Sequence, residues 1–316
     1  MTTYLVRRTA WAVVVLLIVT GCTFLLVHLT PADPARAMAG AKSDPRTVAL
    51  IRTSLGLDRP LLEQLVGFYE RIARLDLGTS YRQGRPVAEL IGERLPATVE
   101  LAVAGLAIAI LLGVGLGVAG ARRPGSRLDR LSTALASVLA ASPAYLVGIL
   151  LLFGLAFLPA INGLPLFPLV NHGYDPLDLR QLALPALALG LVACPFYLRL
   201  TRLGVLDELR QDHIRTARAK GLGERRVVWR HALRNAAPPL VAQAGVDLGA
   251  FLGGVVVIEW AFSWPGIGRQ SVAAISQQDV PLILGTVVVA SILVVVANLA
   301  ADLVAAWLDP RAALTD

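Results

Sequence analysis

The sequence predicts an all-α polytopic membrane protein: six transmembrane helices and a cytoplasmic island of short amphipathic helices. Three observations carry this expectation. Of 316 residues, 56% are hydrophobic and only 16% charged, with a mean hydropathy of +0.66. A soluble domain of this size cannot hide so much apolar surface, so lipid must solvate much of the chain. Six runs approach the roughly 20 apolar residues needed to cross a bilayer. They lie near 10–29, 98–121, 132–158, 182–203, 239–259 and 282–307. Lys and Arg, finally, cluster in alternate connections between these runs.

The first run follows Arg7 and Arg8. Its Val19-Thr20-Gly21-Cys22 fits a lipoprotein cleavage pattern, but Thr23 through Leu29 stay largely apolar where a cleaved signal is followed by polar sequence. One uninterrupted span is expected. Segment 30–97 is long and nearly charge-balanced; within it, Leu61, Leu62, Leu65, Phe68, Tyr69 and Ile72 fall at helical spacing. They predict an amphipathic helix over 61–75 lying against the outer membrane face or the outer rim, as a packed cap rather than a ligand contact. The second run carries Glu100 near its edge and Gly113-x-x-x-Gly117, a spacing that lets helices approach closely.

The 122–130 connection holds Arg122, Arg123, Arg127 and Arg130, whereas 159–181 holds only Arg180. Pro185 and Pro195 predict a kinked fourth span. The fifth contains Asp247 and Gly249-x-x-x-Gly253, and is followed by a connection, 260–281, with Arg269 alone. Asp302 lies near an edge of the sixth. Backbone groups in lipid must be satisfied internally, so these spans are helices. The Lys/Arg asymmetry puts both termini and the 204–238 connection in the cytoplasm. The expected division is 1–97, an N-terminal helix plus extracytoplasmic segment; 98–307, a five-helix transmembrane domain; and 308–316, a cytoplasmic tail.

Net charge +7 could suggest a nucleic-acid partner, but its confinement to one side of the membrane makes it a topology signal. Within the basic island 207–239, Ala217, Ala219, Leu222 and the run 227–229 alternate with Arg215, Arg218, Lys220, Arg225 and Arg226. This predicts two short amphipathic helices broken at 221–223, where glycine relieves a turn. A solvated loop needs no such order; a docking element does. Ala217 allows close approach to a partner, Gly221 permits the turn, and the charged rim fixes register.

No catalytic residue, metal site or cofactor is expected in the chain itself. The only lysines, Lys42 and Lys220, lie outside any glycine-rich phosphate loop. His28, His172, His213 and His231 form no zinc-binding pair, no Gly-x-Ser-x-Gly elbow occurs, and Cys22 and Cys194 imply no disulfide framework. Asp247 is the deepest intramembrane acid, a functional candidate by default. Pathway lining and subunit pairing are both open for it.

A resemblance then becomes specific. Tyr4-Leu-Val-Arg-Arg8, Leu55-Gly-Leu-Asp-Arg-Pro60, Asp76-Leu-Gly-Thr-Ser-Tyr81, Leu95-Pro-Ala-Thr98, Asp212-His-Ile-Arg-Thr-Ala-Arg-Ala-Lys-Gly-Leu222, His231-Ala-Leu-Arg-Asn235, Phe262-Ser-Trp-Pro-Gly-Ile-Gly-Arg269 and Asp309-Pro-Arg311 together resemble permeases of the oligopeptide/dipeptide/nickel family of ATP-binding-cassette importers, the first permease of a pair. The likeness covers essentially the whole chain. It implies a type I importer permease fold and a coupling motif that docks in a groove of the ATPase, carried here by Arg215, Thr216, Ala217, Arg218, Ala219, Lys220, Gly221 and Leu222. Arg215-Thr216-Ala217 stands where many permeases have Glu-Ala-Ala, and Arg234 replaces a common proline.

The implied partners are a second related permease, two ATP-binding subunits that hold ATP and Mg, an extracytoplasmic substrate-binding protein and the lipid of the cytoplasmic membrane. Short peptides are the implied cargo; nickel or other metal chelates and haem are the alternatives. An ion-gradient carrier using Asp247 is the rival from another class, but it leaves the docking island unexplained. A membrane-anchored enzyme lacks any catalytic constellation.

Overall fold

The computed structural model describes residues 2–29, 34–39, 43–170, 173–253 and 255–308, and the elements among them are helical. Helix α1 (Thr2–Leu29) runs unbroken through Cys22. Three shorter helices follow, α2 (Pro34–Ala39), α3 (Pro45–Ser54) and α4 (Leu61–Ala73). The amphipathic pattern read over 61–75 places α4 in register. Its Phe68 is buried against Phe24 of α1, with ring centroids 5.5 Å apart, and Tyr69 donates a 2.6 Å hydrogen bond to the Leu17 carbonyl. Leu17 lies twelve residues from the end of α1, about 18 Å along its axis at ~1.5 Å per residue. The α4 helix therefore sinks alongside α1 instead of resting on its outer rim.

Helix α5 (Val87–Arg122) has 36 residues, a length of about 54 Å against a hydrocarbon layer of ~30 Å. The helix is longer than one crossing needs, and its charged Glu89, Glu93 and Arg94 fall in its early turns. The division expected at 97/98 falls inside this continuous helix. Next comes α6 (Arg127–Ala141), whose Ser126 cap accepts a 3.2 Å hydrogen bond from the Asp129 amide. Here the structure corrects the sequence reading: the span expected over 132–158 is two elements. Ser142 and Pro143 are both extended, at ψ 133° and 140°, because proline lacks an N–H and biases its predecessor out of the helix. The membrane crossing begins only at α7 (Ala144–Leu151), then passes through a π-helical turn (Leu152–Phe157) into α8 (Leu158–Ile161).

Helix α9 (Leu179–Glu208) contains Pro185 and Pro195 and packs along α5 as the central pair. Gly113 and Gly117 make that approach possible. A Cβ on Gly113 would sit 2.5 Å from Tyr197 Cβ, and one on Gly117 2.7 Å from Thr201 Cβ. Past α10 (Asp212–Ala219) the chain turns into α11 (Glu224–Arg226), a second π-helical turn (Val227–Ala232) and α12 (Leu233–Leu252). The second short helix expected in the island is thus the opening of a long helix.

The fifth span expected at 239–259 also changes. The α12 helix stops at Leu252, and α13 (Val256–Ala261) resumes after the break. With Asn235, Gln243 and Asp247 aboard, α12 is not among the five helices of the described residues that are long and apolar enough to cross a membrane. Those five are Arg7–Leu29, Val87–Arg122, Ala144–Ile161, Leu179–Glu208 and Val280–Ala301. Gly249 of α12 and Gly253 just after it lie against Ala297 and Val294 of α15 (Val280–Leu308). The fold closes with α14 (Ile267–Gln277) and α15 (Val280–Leu308). The α15 helix returns to α1, so the first and last helices are neighbours. Residues 309–316, including Asp309-Pro-Arg311, and the side chain of Asp302 lie outside what is described, as does His172.

Candidate functional site

The basic island forms a rigid platform at the C-terminal ends of α5 and α9. Ile214 and Ala217 of α10 point inward, into an apolar cluster with Val118 and Ala121 of α5, Val205 of α9, and Val227, Val228, Ala232 and Ala236. Ala217 is therefore buried within its own chain. Its small side chain seats α10 on the bundle and does not offer contact to a partner, a correction to the role expected from sequence. The outward face carries Arg215, Thr216, Arg218, Ala219, Lys220 and Gly221.

The turn at 220–223 has a defined mechanism. Gly221 sits at φ +78°, its amide donating to the Arg218 carbonyl at 2.9 Å, while the Leu222 amide reaches the Ala217 carbonyl at 3.3 Å. This pair of bonds is the Schellman ending, in which a left-handed glycine satisfies the last helical carbonyls and the next apolar residue folds back. Leu222 does so, joining the cluster beneath α10. Across the turn, Arg218 grips Glu224 with two hydrogen bonds of 2.7 and 3.2 Å. That grip holds the Glu224 carboxyl below the usual carboxylate range, so the pair stays ionised at neutral pH and is lost only as pH falls through the depressed value.

Asn235 ties the platform together from α12, donating to Glu208 Oε2 at 3.2 Å and facing His213 Nε2 at 3.3 Å. The His231-to-Asn235 stretch thus earns its place by bracing three helices. Trp229, 47% exposed, stands among Arg225, Arg226 and Arg230 on the same outward surface.

A partly buried ion pair braces the bundle beside this platform. Arg202 of α9 binds Asp129 of α6 through two bonds, 2.6 and 2.9 Å, and the Gly125 amide adds a third at 2.8 Å. The guanidinium holds the Asp129 carboxyl below its ordinary value against the opposing effect of burial. Its stabilisation is present at neutral pH and fades as pH drops through that lowered value.

Deeper in the bundle, Asp247 accepts from the Tyr197 hydroxyl at 2.6 Å and from Gln243 Nε2 at 2.8 Å. Both carboxylate oxygens are satisfied within the chain, and the side chain is half-buried. Asparagine retains an acceptor for Tyr197, so Asp247→Asn should keep uptake within about threefold of wild type, since a neutral hydrogen bond differs modestly from a charged one. Uptake measured at fixed ATP with and without a protonophore checks this. Strict protonophore sensitivity, with loss of uptake in the variant, would establish the ion-gradient reading.

Two acids that sequence reasoning passed over hold the opposite end together. Glu259 of α13 is fully buried; Thr98 donates to its Oε1 at 2.8 Å and the Arg269 amide to its Oε2 at 2.9 Å. Thr98 in turn accepts from the Ile267 amide at 2.8 Å. Gly266 lies so close to this carboxylate that a Cβ there would collide with it. Asp279, also fully buried, accepts from the Ser80 hydroxyl at 2.5 Å and the Tyr81 amide at 3.1 Å. These contacts explain the Asp76-to-Tyr81, Leu95-to-Thr98 and Phe262-to-Arg269 stretches as parts of two clamps. An acid closing the apolar run 255–258 and another just before a helix start were the signals available. Among the described residues no three His, Cys, Asp or Glu side chains gather as a metal site.

Comparison with known proteins supplies the remaining observations. Residues 105–314 match the family described as binding-protein-dependent transport system inner membrane component, and residues 1–102 match its N-terminal companion. A glutathione transport system permease protein of Salmonella typhimurium is 37% identical over 314 residues, covering 98% of both chains. A dipeptide transport system permease protein of Alkalihalophilus pseudofirmus is 35% identical over 330 residues, covering 98% of this chain and 99% of that one. In structure, the chain resembles the MetNI methionine ABC transporter in an inward-facing conformation, with a TM-score of 0.52 at 20% identity over 69% of this chain and 96% of that one.

Proposed function

Because the chain belongs to the family of binding-protein-dependent transport system inner membrane components, a multi-pass membrane subunit of a transport system and not an enzyme, we propose that it is the first permease of an ATP-binding-cassette importer for short peptides. It pairs with a second, related permease. Two ATP-binding subunits, holding ATP and Mg, dock on the platform, and a binding protein delivers cargo to the other side. The observation that carries this reading is the platform itself. Its apolar underside is fixed in the bundle while its arginine-rich upper face is left to solvent, which is what transmitting a push requires.

Alternating access follows from that construction. ATP-driven closure of the ATPases moves α10, whose seat on α5, α9 and α12 passes the motion into the bundle as a rigid-body rotation. Peptides are favoured as cargo by the names of the relatives; glutathione is itself a peptide. Metal chelates and haem are not supported by any relative named above.

Topology tests the proposal. In a cysteine-free background, Lys220→Cys should resist a membrane-impermeant thiol reagent in intact cells and react after permeabilisation, whereas Asp76→Cys should react at once. Immediate labelling at 220 would put the platform outside and end the docking argument. Peptide uptake by the reconstituted complex, dependent on ATP and binding protein, tests the activity directly.

A further inference from the structure

At the far end of α5 from the platform, the two acid clamps enclose a cavity of about 340 Å³ lined by residues that include Gln83, Arg85, Glu93, Arg94, Arg269 and Gln270. That volume is at the lower end of small-ligand pockets. Arg94 and Val118 lie 24 residues apart on one helix, so the cavity and the platform are separated by about 36 Å. One wall, at Pro265 and Gly266, is fixed by Glu259. The other, at Gln83 and Arg85, follows the segment that Asp279 holds.

The charges lining this cavity do not cancel. Three arginines face one glutamate, Glu93. Arg85 is already neutralised, with Nη2 bound to Glu89 Oε1 at 2.7 Å and to Glu93 Oε1 at 2.5 Å. Arg269 spends one guanidinium nitrogen on the Ser263 carbonyl at 2.6 Å, and neither it nor Arg94 has an acidic partner within 4.0 Å among the described residues. Gln270 adds an amide oxygen that is buried without a donor. A preformed concavity with surplus guanidinium donors and one unmet acceptor suits a carboxylate with an N–H beside it. The C-terminal residue of a peptide has that chemistry.

We propose that this cavity receives the terminal carboxylate of the peptide as it leaves the binding protein, with Arg94 and Arg269 binding the carboxylate and Gln270 accepting from the adjacent peptide N–H. This rests on the importer reading above. It makes the permease itself a checkpoint for a free C-terminus.

The test uses the complete complex in proteoliposomes with its binding protein, and dialanine, trialanine and their C-terminal amides as probes. In Arg94→Gln/Arg269→Gln, uptake of the free acids should fall roughly tenfold, the scale of a lost charged hydrogen bond, while uptake of the amides is unchanged. Arg94→Lys/Arg269→Lys should recover part of the loss. The binding protein's own affinity for each probe and its stimulation of ATP hydrolysis should stay at wild-type values. Arg94→Gln alone guards against misfolding, since its side chain makes no hydrogen bond among the described residues, and it should show the same discrimination in weaker form.

Equal losses for acids and amides, or none, would overturn the carboxylate site alone. Loss of stimulated ATP hydrolysis would assign the arginines to docking of the binding protein and overturn it likewise. No ATP-dependent uptake of any peptide by the wild-type complex would remove the peptide reading first, and this inference with it.

Discussion

Uptake by a Gly221→Trp variant should fall roughly ten- to hundredfold, with the chain inserted at normal abundance. Two effects act at this position and they differ in size. A non-glycine residue at φ +78° carries backbone strain of about 1–2 kcal/mol, too little to unfold a bundle held by buried helices. The larger effect is steric. Apart from Gly221 and its two chain neighbours, no described atom lies within 4 Å of where a Gly221 Cβ would be, so the indole projects from the outward face into the space proposed for the ATPase. Overpacking a tight contact costs about 1–3 kcal/mol, or up to a hundredfold in affinity. Gly221→Ala separates the effects, because it keeps the strain and omits the bulk; its uptake should stay within about tenfold. The readouts are uptake, retention of the ATPase on purification, and hydrolysis stimulated by loaded binding protein. Wild-type values for the tryptophan variant would remove the platform as the docking surface.

The second large effect falls at the opposite end and concerns folding. Glu259→Ala should destabilise the chain by about 3–5 kcal/mol. It strips the Arg269 amide of its acceptor and Thr98 of its partner, each buried orphan costing about 1–3 kcal/mol, and leaves a void where the carboxylate stood. Segment 262–269 should become protease-sensitive, and the melting temperature in detergent should drop. Glu259→Gln keeps one acceptor oxygen and should lose less than half as much. An alanine variant within about 1 kcal/mol of wild type would show that the clamp is not needed to hold segment 262–269.

What the sequence disclosed, and what it withheld, divides by distance along the chain. Apolar runs placed α1, α5, α9 and α15, because length and hydropathy are local properties. Amphipathic spacing placed α4 and α10, and Gly221 announced its turn. The errors came where a local signal was outweighed: Ser142-Pro143 breaks a run that looks long enough to cross, and the run read over 239–259 is cut where α12 ends at Leu252. Spacing also could not say which way Ala217 faces. Small residues serve interfaces within a chain as readily as between chains, and only the positions of Val118 and Val205 decide. Glu259 and Asp279 escaped notice for a simpler reason. Their partners, Thr98 and Ser80, lie 161 and 199 residues away.

That last separation has a consequence for how the protein is made. Ser80 leaves the ribosome 199 residues ahead of Asp279, a wait of about 10–40 s at common synthesis rates. Phe24 and Phe68 likewise pack with Val280, Leu284 and Val288, on α15, made long after them. Helix α1 therefore gains α4 early in synthesis but its α15 neighbours only once residues 280–288 have been made. Until then the face of α1 that α15 covers must be sheltered by lipid or by the insertion machinery, and synthesis of α15, not entry of α1, sets the moment at which the bundle can close.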